Sequence, residues 1–302
     1  MLNLKSLAVV LFAANNVLAV GSPFGFASGT TGGNGVAQAI PTSAAQLKTR
    51  NQREQLVRVK PCGKLPLRAA IFRMPILLQV TATYKKAGTS GIRVKSNKTI
   101  LGKGTAGWIK GKGLMLSGVS NVIIQNIRIS DINPQYVWGG DALYIDNSSK
   151  VWVSTYRHFV LSFWKSLPWC NRSIITTTGC DQHHYWAFLF AGNGDQITFA
   201  RNYVYFTAGR GPHVGGTAGY SLTLHMFNNY FNDITGHAID ADTGSKILVE
   251  GNYFNKASSL TNTANTGALS AFTASVVKSA SIMDPASVAS FVTANAGLGK
   301  VN

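Results

Sequence analysis

Three short stretches hold side chains whose types and spacing could do chemistry. In VYFTAGRGPHVGG, Arg210 stands between Gly209 and Gly211 directly after an apolar-alternating run. Glycine on both sides lets the backbone turn tightly and a ligand come close, so the cation would be carried on a short tether from a rigid strand. The same pattern also suits an arginine that only solvates a turn. In YVWGGDALYID, Asp141 follows two glycines at the start of an apolar run, with Trp138 three residues ahead of it. A carboxylate there could orient a cation or bind a sugar hydroxyl, and an indole beside it could stack on a sugar ring. Asx-type capping of a turn is the alternative. The third stretch, GCDQHHYWAFLF, offers His183, His184, Tyr185 and Trp186. Adjacent histidines on a strand point to opposite faces and make a poor metal pair. Asp141 and Asp146 alone do not supply the several oxygens that calcium needs, and without a G-x-S-x-G elbow a serine esterase is disfavoured.

The elements that must position these groups follow from a repeat. QITFARNYVYF, LTLHMFNNYFNDI and KILVEGNYFN each place apolar residues five and three positions ahead of an Asn that is followed by Tyr. The residues are Ile197, Phe199 and Asn202, then Leu224, Met226 and Asn229, then Ile247, Val249 and Asn252, with steps of 27 and 23 residues between the asparagines. A period near 25 with short alternating runs predicts stacked coils of β-strands. One coil cannot bury its apolar face alone, so neighbours must stack on it. The expected architecture is an all-β parallel β-helix in which Asn at a repeated bend bonds to its equivalents above and below. Propeller repeats usually exceed 40 residues and fit less well. Upstream, NKTILGKG and NVIIQNIRI read as earlier coils, and Asn126 lies 76 residues before Asn202, about three periods.

Residues 1–19 read as a secretory signal peptide, with Lys5, an apolar run and small residues placed for cleavage, leaving 20–302 as a single domain. No later run is long and apolar enough to predict a membrane span. Sequons at Asn97, Asn147 and Asn171 suit a secreted glycoprotein. Cys62, Cys170 and Cys180 allow at most one internal disulfide. The net charge of +17 suggests a polyanion binder at first sight. Between Lys48 and Lys112, however, sixteen Lys and Arg face one acid, Glu54, so the basicity belongs to one segment and not to a nucleic-acid-binding face. Two segments break the coil rhythm. Thr49 to Val80 is basic and without repeat, and Ser154 to Thr178 lacks Asn and Gly punctuation. Both are expected as extruded loops or as disturbed coils at 49–80 and 154–178.

Taken together, PFGFASGTTGG, VKSNKTILGKGTAGWIKGKGL, NVIIQNIRISDINPQYVWGGDAL, HHYWAF, VYFTAGRGPHV, NNYFNDITGHA, LVEGNYF and SVASFVTANAG make a chain that resembles the secreted pectin lyases of fungi and oomycetes, in polysaccharide lyase family one. The resemblance implies a right-handed parallel β-helix that cleaves methyl-esterified polygalacturonate by β-elimination, with no metal or other cofactor. It implies catalytic roles for Arg210, as the proton-abstracting group, and for Asp141. It places Trp138, Tyr185, Trp186 and His213 at the substrate, His213 standing where a Lys is common. It implies pectin as partner, no nucleic acid or membrane, an extracellular monomer, and Cys62 as a candidate partner for Cys180. A second active-site Arg of the family has no aligned counterpart within Ser154 to Thr178, so reduced activity is expected. An inactive pectin-binding β-helix and a basic polyanion-binding module are the competing expectations.

Overall fold

The computed structural model describes residues 21–34, 41, 43–52, 74–78, 81–83, 90–130, 141–154, 183, 187–262, 268–297 and 299. Each alternating run becomes a short strand. Strands β1 (Met74–Leu78), β2 (Thr81–Thr83) and β3 (Ile92–Arg93) form one coil, followed by β4 (Lys98–Gly102), β5 (Trp108–Lys110) and β6 (Leu114–Ser117), and then by β7 (Ser120–Gln125), β8 (Arg128–Ser130) and β9 (Leu143–Asp146). Strand β10 (Ser149–Ser154) follows, and β11 (Leu189–Phe190) is the next strand among the described residues. Then come β12 (Gln196–Ala200), β13 (Tyr203–Thr207) and β14 (His213–Val214). Strands β15 (Leu222–Phe227) and β16 (Tyr230–Ala241), then β17 (Ser245–Glu250) and β18 (Tyr253–Asn262), complete the stack.

All pairing among these strands is parallel, in the orders β1-β4-β7-β10, β2-β5-β8, β3-β6-β9, β12-β15-β17 and β11-β14-β16-β13, with β18 also on β16. The fold is therefore the parallel β-helix that the repeat predicts. The long β16 joins two strands of the preceding coil into one sheet, since its first half pairs β13 and its second half pairs β14.

Alternation fills the bore. Ile100, Ile124 and Val153 align across β4, β7 and β10, while Leu224 aligns with Ile197 and Ile247 across β15, β12 and β17. Ile100, Ile124, Leu224 and Met226 are fully buried, and Phe231 stacks on Phe254 with ring centroids 4.8 Å apart. Ile197 and Phe199 pack against the same core. Val249 departs from the expectation. It is in register with Met226, yet 43% of it is exposed near the end of β17, the last strand of its sheet, while Ile247 two residues earlier stays buried.

The asparagine ladder forms as predicted at the second bend. Asn229 Oδ1 accepts from the Asn202 backbone N–H and side-chain amide at 2.9 Å, and Asn252 Oδ1 accepts from the same groups of Asn229 at 2.9 and 2.8 Å. Asn126 does not belong to it. Like Arg201, Asn228 and Gly251, it takes the left-handed corner one position earlier (φ between 55° and 60°), so Ile127 occupies the ladder register upstream. A buried coil corner needs either the amide ladder or, as in the first coils, an apolar side chain. In place of the ladder, Asn126 donates to the carbonyls of Gly102 and Gly104.

The expectation of disturbed coils is corrected in part. Met74–Leu78, inside the Thr49 to Val80 segment, pairs β4 in continuous register over five residues. Helix α1 (Ala44–Gln52) takes up the start of that segment, and its Leu47 is fully buried in the first core cluster, where it closes one end of the bore. Residues 53–73 and 155–178, the three cysteines and residues 1–19 lie outside the described residues.

The PFGFASGTTGG stretch is a strap across the outer face of the first sheet. Phe26 N donates to Thr198 Oγ1 at 3.0 Å, Gly33 N to Thr99 Oγ1 at 2.9 Å, and Thr31 N and Gly32 N to Asn121 Oδ1. Phe24 packs on Phe227 of β15, next to the β12 strand that carries Thr198, so the strap, reaching from there to Thr99 of β4, ties the two halves of the solenoid together. At the far end α2 (Ala268–Ala271), α3 (Ser275–Lys278) and α4 (Pro285–Asn295) follow β18, with Asp284 capping α4 through Ala286 N and Val288 and Val292 fully buried. Among the described residues no helix is long and apolar enough to cross a membrane.

One glycine governs the site. Gly236 lies against the carbonyl oxygen of Ala208, two residues before Arg210, and a Cβ there would overlap that oxygen. Gly236→Ala is expected to destabilise the fold by about 1–3 kcal/mol as an overpacked backbone contact. A thermal melt should show a Tm several degrees lower, and an unchanged Tm would mean that the coils can slide apart locally at no cost.

Candidate active site

Arg210 follows β13 through Ala208 and Gly209 and precedes β14 by three residues, on the junction between the second and third strands of its coil. Its backbone sits at φ +49°, a left-handed conformation that a non-glycine residue adopts only when its surroundings hold it there. The neighbouring coils do so. Phe188 N donates to Arg210 O at 2.7 Å from one side, and Gly211 N donates to His237 O at 3.3 Å on the other. His213 N to Phe188 O (3.0 Å) and Asp240 N to Pro212 O (2.9 Å) extend the clamp. A half-buried guanidinium is thereby presented from a rigid backbone, as the flanking glycines suggest.

Asp141 occupies the equivalent junction, two residues before β9, and its side chain is exposed. Its carbonyl oxygen stacks on Gly113, the residue before β6, where any side chain would collide with it, and Leu114 N donates to Ala142 O at 2.9 Å. Both groups therefore precede the third strand of their own coils, while residues 155–182 between them lie outside the described residues. Trp138, Tyr185 and Trp186 lie outside the described residues.

His213 begins β14 opposite Asp240 of β16, and its Nδ1 is 2.7 Å from Asp240 Oδ2. His237 Nδ1 reaches the same oxygen at 3.9 Å. Beyond His213 Nε2 stands Gly216, where a Cβ would come within 3.3 Å of that nitrogen and 3.1 Å of Asp242 Oδ2. The sequence reading missed Asp240. The signal was available, because Asp240 follows His213 by the 27 residues that separate Asn202 from Asn229.

A second feature passed unused in the Asn-Tyr repeat itself. Tyr203, Tyr230 and Tyr253 stack along the coils with centroids 4.9 and 5.5 Å apart, and Tyr205 stacks beside Tyr203 at 5.6 Å. Asn255 donates to Asn232, which donates to the Tyr203 hydroxyl at 3.0 Å. Burial, and then the neighbouring Tyr203 phenol, push the Tyr230 hydroxyl above the ordinary tyrosine range, so it stays a neutral donor.

His183 is buried, stacked on Phe206 at 3.9 Å and 3.5 Å from Asp233, which gives this histidine a structural place. Asp146 accepts from the Ser117 hydroxyl. Among the described residues no group of three or more His, Cys, Asp or Glu is arranged to hold a metal ion. Part of the basic segment's charge is spent on packing, since Lys110 lies over the Trp108 ring at 5.0 Å, as does Arg128 of a later strand at 4.2 Å. Nearby, burial and then repulsion from Lys48 lower the Lys112 ammonium below the ordinary lysine range.

Comparison with known proteins accords with this architecture. A sequence family described as Pectate lyase matches residues 2–204. Probable pectin lyase F of Emericella nidulans is 36% identical over 300 residues, covering 86% of this chain and 64% of the relative. Pectin lyase D of Aspergillus niger is 36% identical over 302 residues, covering 86% of this chain and 80% of the relative. The chain spans 57% and 64% of two other relatives it matches, probable pectin lyases F-2 of Aspergillus terreus and F of Aspergillus flavus. Among solved structures, a pectate lyase from Bacillus sp. N165 in complex with trigalacturonate superposes with a TM-score of 0.61 at 19% identity, over 93% of this chain and 100% of that one. Pectate lyase C from Erwinia chrysanthemi gives 0.59 at 14% identity, over 92% and 97%. At such identities the superpositions speak for the fold. The match over two thirds of the sequence and the relatives covering 86% of it decide descent, and the chain belongs to the pectate lyase family.

Proposed function

We propose that residues 20–302 form a single domain acting as a secreted, monomeric, endo-acting pectin lyase that cleaves methyl-esterified homogalacturonan. Arg210, locked in a left-handed backbone on the solenoid edge, is the observation that carries this reading. The curated relatives are named pectin lyases, which supports the same substrate class. In the reaction the C5 proton of an esterified residue leaves, the bond from C4 to the glycosidic oxygen breaks, and a 4,5 double bond forms. The C5 proton is acidic because it lies α to a carbonyl, and the methyl ester removes the carboxylate charge that would oppose carbanion formation. No divalent cation is therefore needed to neutralise the substrate.

Arg210 is assigned to C5. A guanidinium has no lone pair to take a proton, so Arg210 can act as the base only as the neutral guanidine, after giving one proton to solvent, a state reached transiently with the substrate hydrogen placed against it and water excluded. Asp141, at the corresponding junction of its own coil, is assigned to orient the cationic cluster or a sugar hydroxyl. Trp138, Tyr185 and Trp186 are assigned to sugar stacking, and His213 to the substrate beside Arg210.

The test is release of unsaturated product from highly methylated pectin, followed as absorbance of the new double bond. Activity should be unchanged by a chelator and should fall on de-esterified pectate. A requirement for calcium would overturn the mechanism. Tight, salt-dependent binding to de-esterified pectate with no product would favour the polyanion-binding module instead.

A further inference from the structure

The corner between β9 and β10 reads Asn147-Ser148-Ser149, an acceptor pattern for N-linked sugar. Ser148 is drawn into the corner, where its hydroxyl donates to Asp146 O at 2.8 Å and accepts from Val119 N at 3.2 Å. Asn147 and Ser149, on either side of it, are exposed. Asn147 holds a left-handed backbone at φ +42°, which asparagine tolerates better than most residues. It continues the register of Ser117 with Asp146 onto Gly118, where an added Cβ would meet nothing within 4 Å. The corner therefore has open space for a bulky group. The other described sequon is placed differently. Asn97 is half-buried, its side-chain oxygen accepts from Asn121 at 2.8 Å, and Thr99, two residues on, is buried beneath the strap.

Strand β9 itself is short of cover. Its sheet runs β3-β6-β9, so among the described residues no strand pairs its outer edge. Tyr144 and Ile145, 42% and 46% exposed, lie three and two residues before Asn147. An exposed apolar strand at a sheet edge invites pairing with another chain, and folded proteins blunt such edges by charging or covering them.

We propose that Asn147 carries an N-linked oligosaccharide whose first sugars cover the open edge of β9 and keep chains from associating through it. The inference rests on the secreted reading above and not on the lyase chemistry. In the transfer the Asn147 amide nitrogen attacks the anomeric carbon of an oligosaccharide carried on a lipid diphosphate. The new carbon–nitrogen bond forms as the anomeric carbon–oxygen bond breaks, the diphosphate leaves with its lipid, and the nitrogen gives up one proton. The Ser149 hydroxyl is the part of the acceptor pattern that the transferring enzyme reads. Two or three residues of strand span roughly 7–10 Å, so the sugars nearest Asn147 lie over Ile145 and Tyr144.

For the test, the full chain is produced with its own leader in a yeast host, and peptides of the secreted protein are read by mass spectrometry. Asn147 should carry sugar in the wild type and in Ser149→Thr. It should be bare in Ser149→Ala, which leaves the left-handed Asn147 in place. The bare variant should bind an apolar-surface dye with at least about twofold higher fluorescence and should shift from monomer to larger species in light scattering. Adding Tyr144→Thr and Ile145→Thr to the bare chain should return both readings to the wild-type level. A bare Asn147 in the secreted wild-type chain overturns the proposal, as does a Ser149→Ala chain that stays monomeric and binds no more dye than the wild type. Retention in the cytosol gives a different result and sinks the secreted reading. The same measurements on a chain with the host's own leader in place of residues 1–19 then decide Asn147 separately.

Discussion

Arg210→Lys in an active chain is expected to lower kcat on highly methylated pectin at least about a hundredfold, the scale of a lost acid–base group, with little change in KM. The substitution keeps the charge and removes the planar fork. The backbone does not confound the comparison, since Lys tolerates a φ of +49° no worse than Arg and the clamp from Phe188 and His237 is made by main-chain atoms. The melting temperature should accordingly stay within a degree or two of the parent. What changes is the position of the nitrogen relative to C5, because a flexible ammonium cannot reproduce two fixed N–H directions. Single-turnover measurement of unsaturated product decides the matter, and near-normal turnover in Arg210→Lys would rule out the guanidinium as the group at C5.

Asn229→Ala carries the largest expected effect on stability. The side chain is fully buried at the middle of the ladder, where its oxygen accepts from Asn202 and its amide donates to Phe199 O at 2.7 Å and to Asn252. Truncation leaves the Asn202 backbone N–H, the Asn202 side-chain amide and the Phe199 carbonyl without that partner inside the bend, while Asn252 Oδ1 keeps the Asn229 backbone N–H. At about 1–3 kcal/mol for each buried group left unsatisfied, a loss of roughly 3–5 kcal/mol follows. For a domain of this size that is on the order of 10 °C in Tm. Asn252→Ala should cost less, since only Asn229 stacks on it from within the ladder, and comparing the two melts checks that the effect comes from the ladder and not from local propensity. Equal losses would count against the ladder as the source.

Much of the architecture was legible along the chain. Alternating apolar residues spaced near 25 leave a half-buried strand no alternative but to stack on its own repeat, and this places Ile197, Phe199, Leu224, Met226 and Ile247 against the bore. The flanking glycines marked Arg210 and Asp141 as special backbone positions, and both fall on the same junction of their coils. Periodicity does not report how far the covering of a terminal strand extends, so Val249 keeps its register and loses its burial while Ile247 on the same strand keeps both. Nor does it resolve a one-residue offset, so Asn126 was counted on a ladder that it precedes. The basic segment hid β1, whose Met74–Leu78 pairing depends on the partner strand and not on its own pattern. The spacing of His213 and Asp240 was legible as one repeat step, but their ion pair and the closure of the strap on Thr198 and Thr99 were decided by the tertiary structure. Local sequence sets which face of a strand is apolar, because that is a matter of alternation between neighbours. Which carboxylate meets which imidazole is set by the register between coils, a sum of every residue and bulge in the intervening turn, and only the folded stack evaluates that sum.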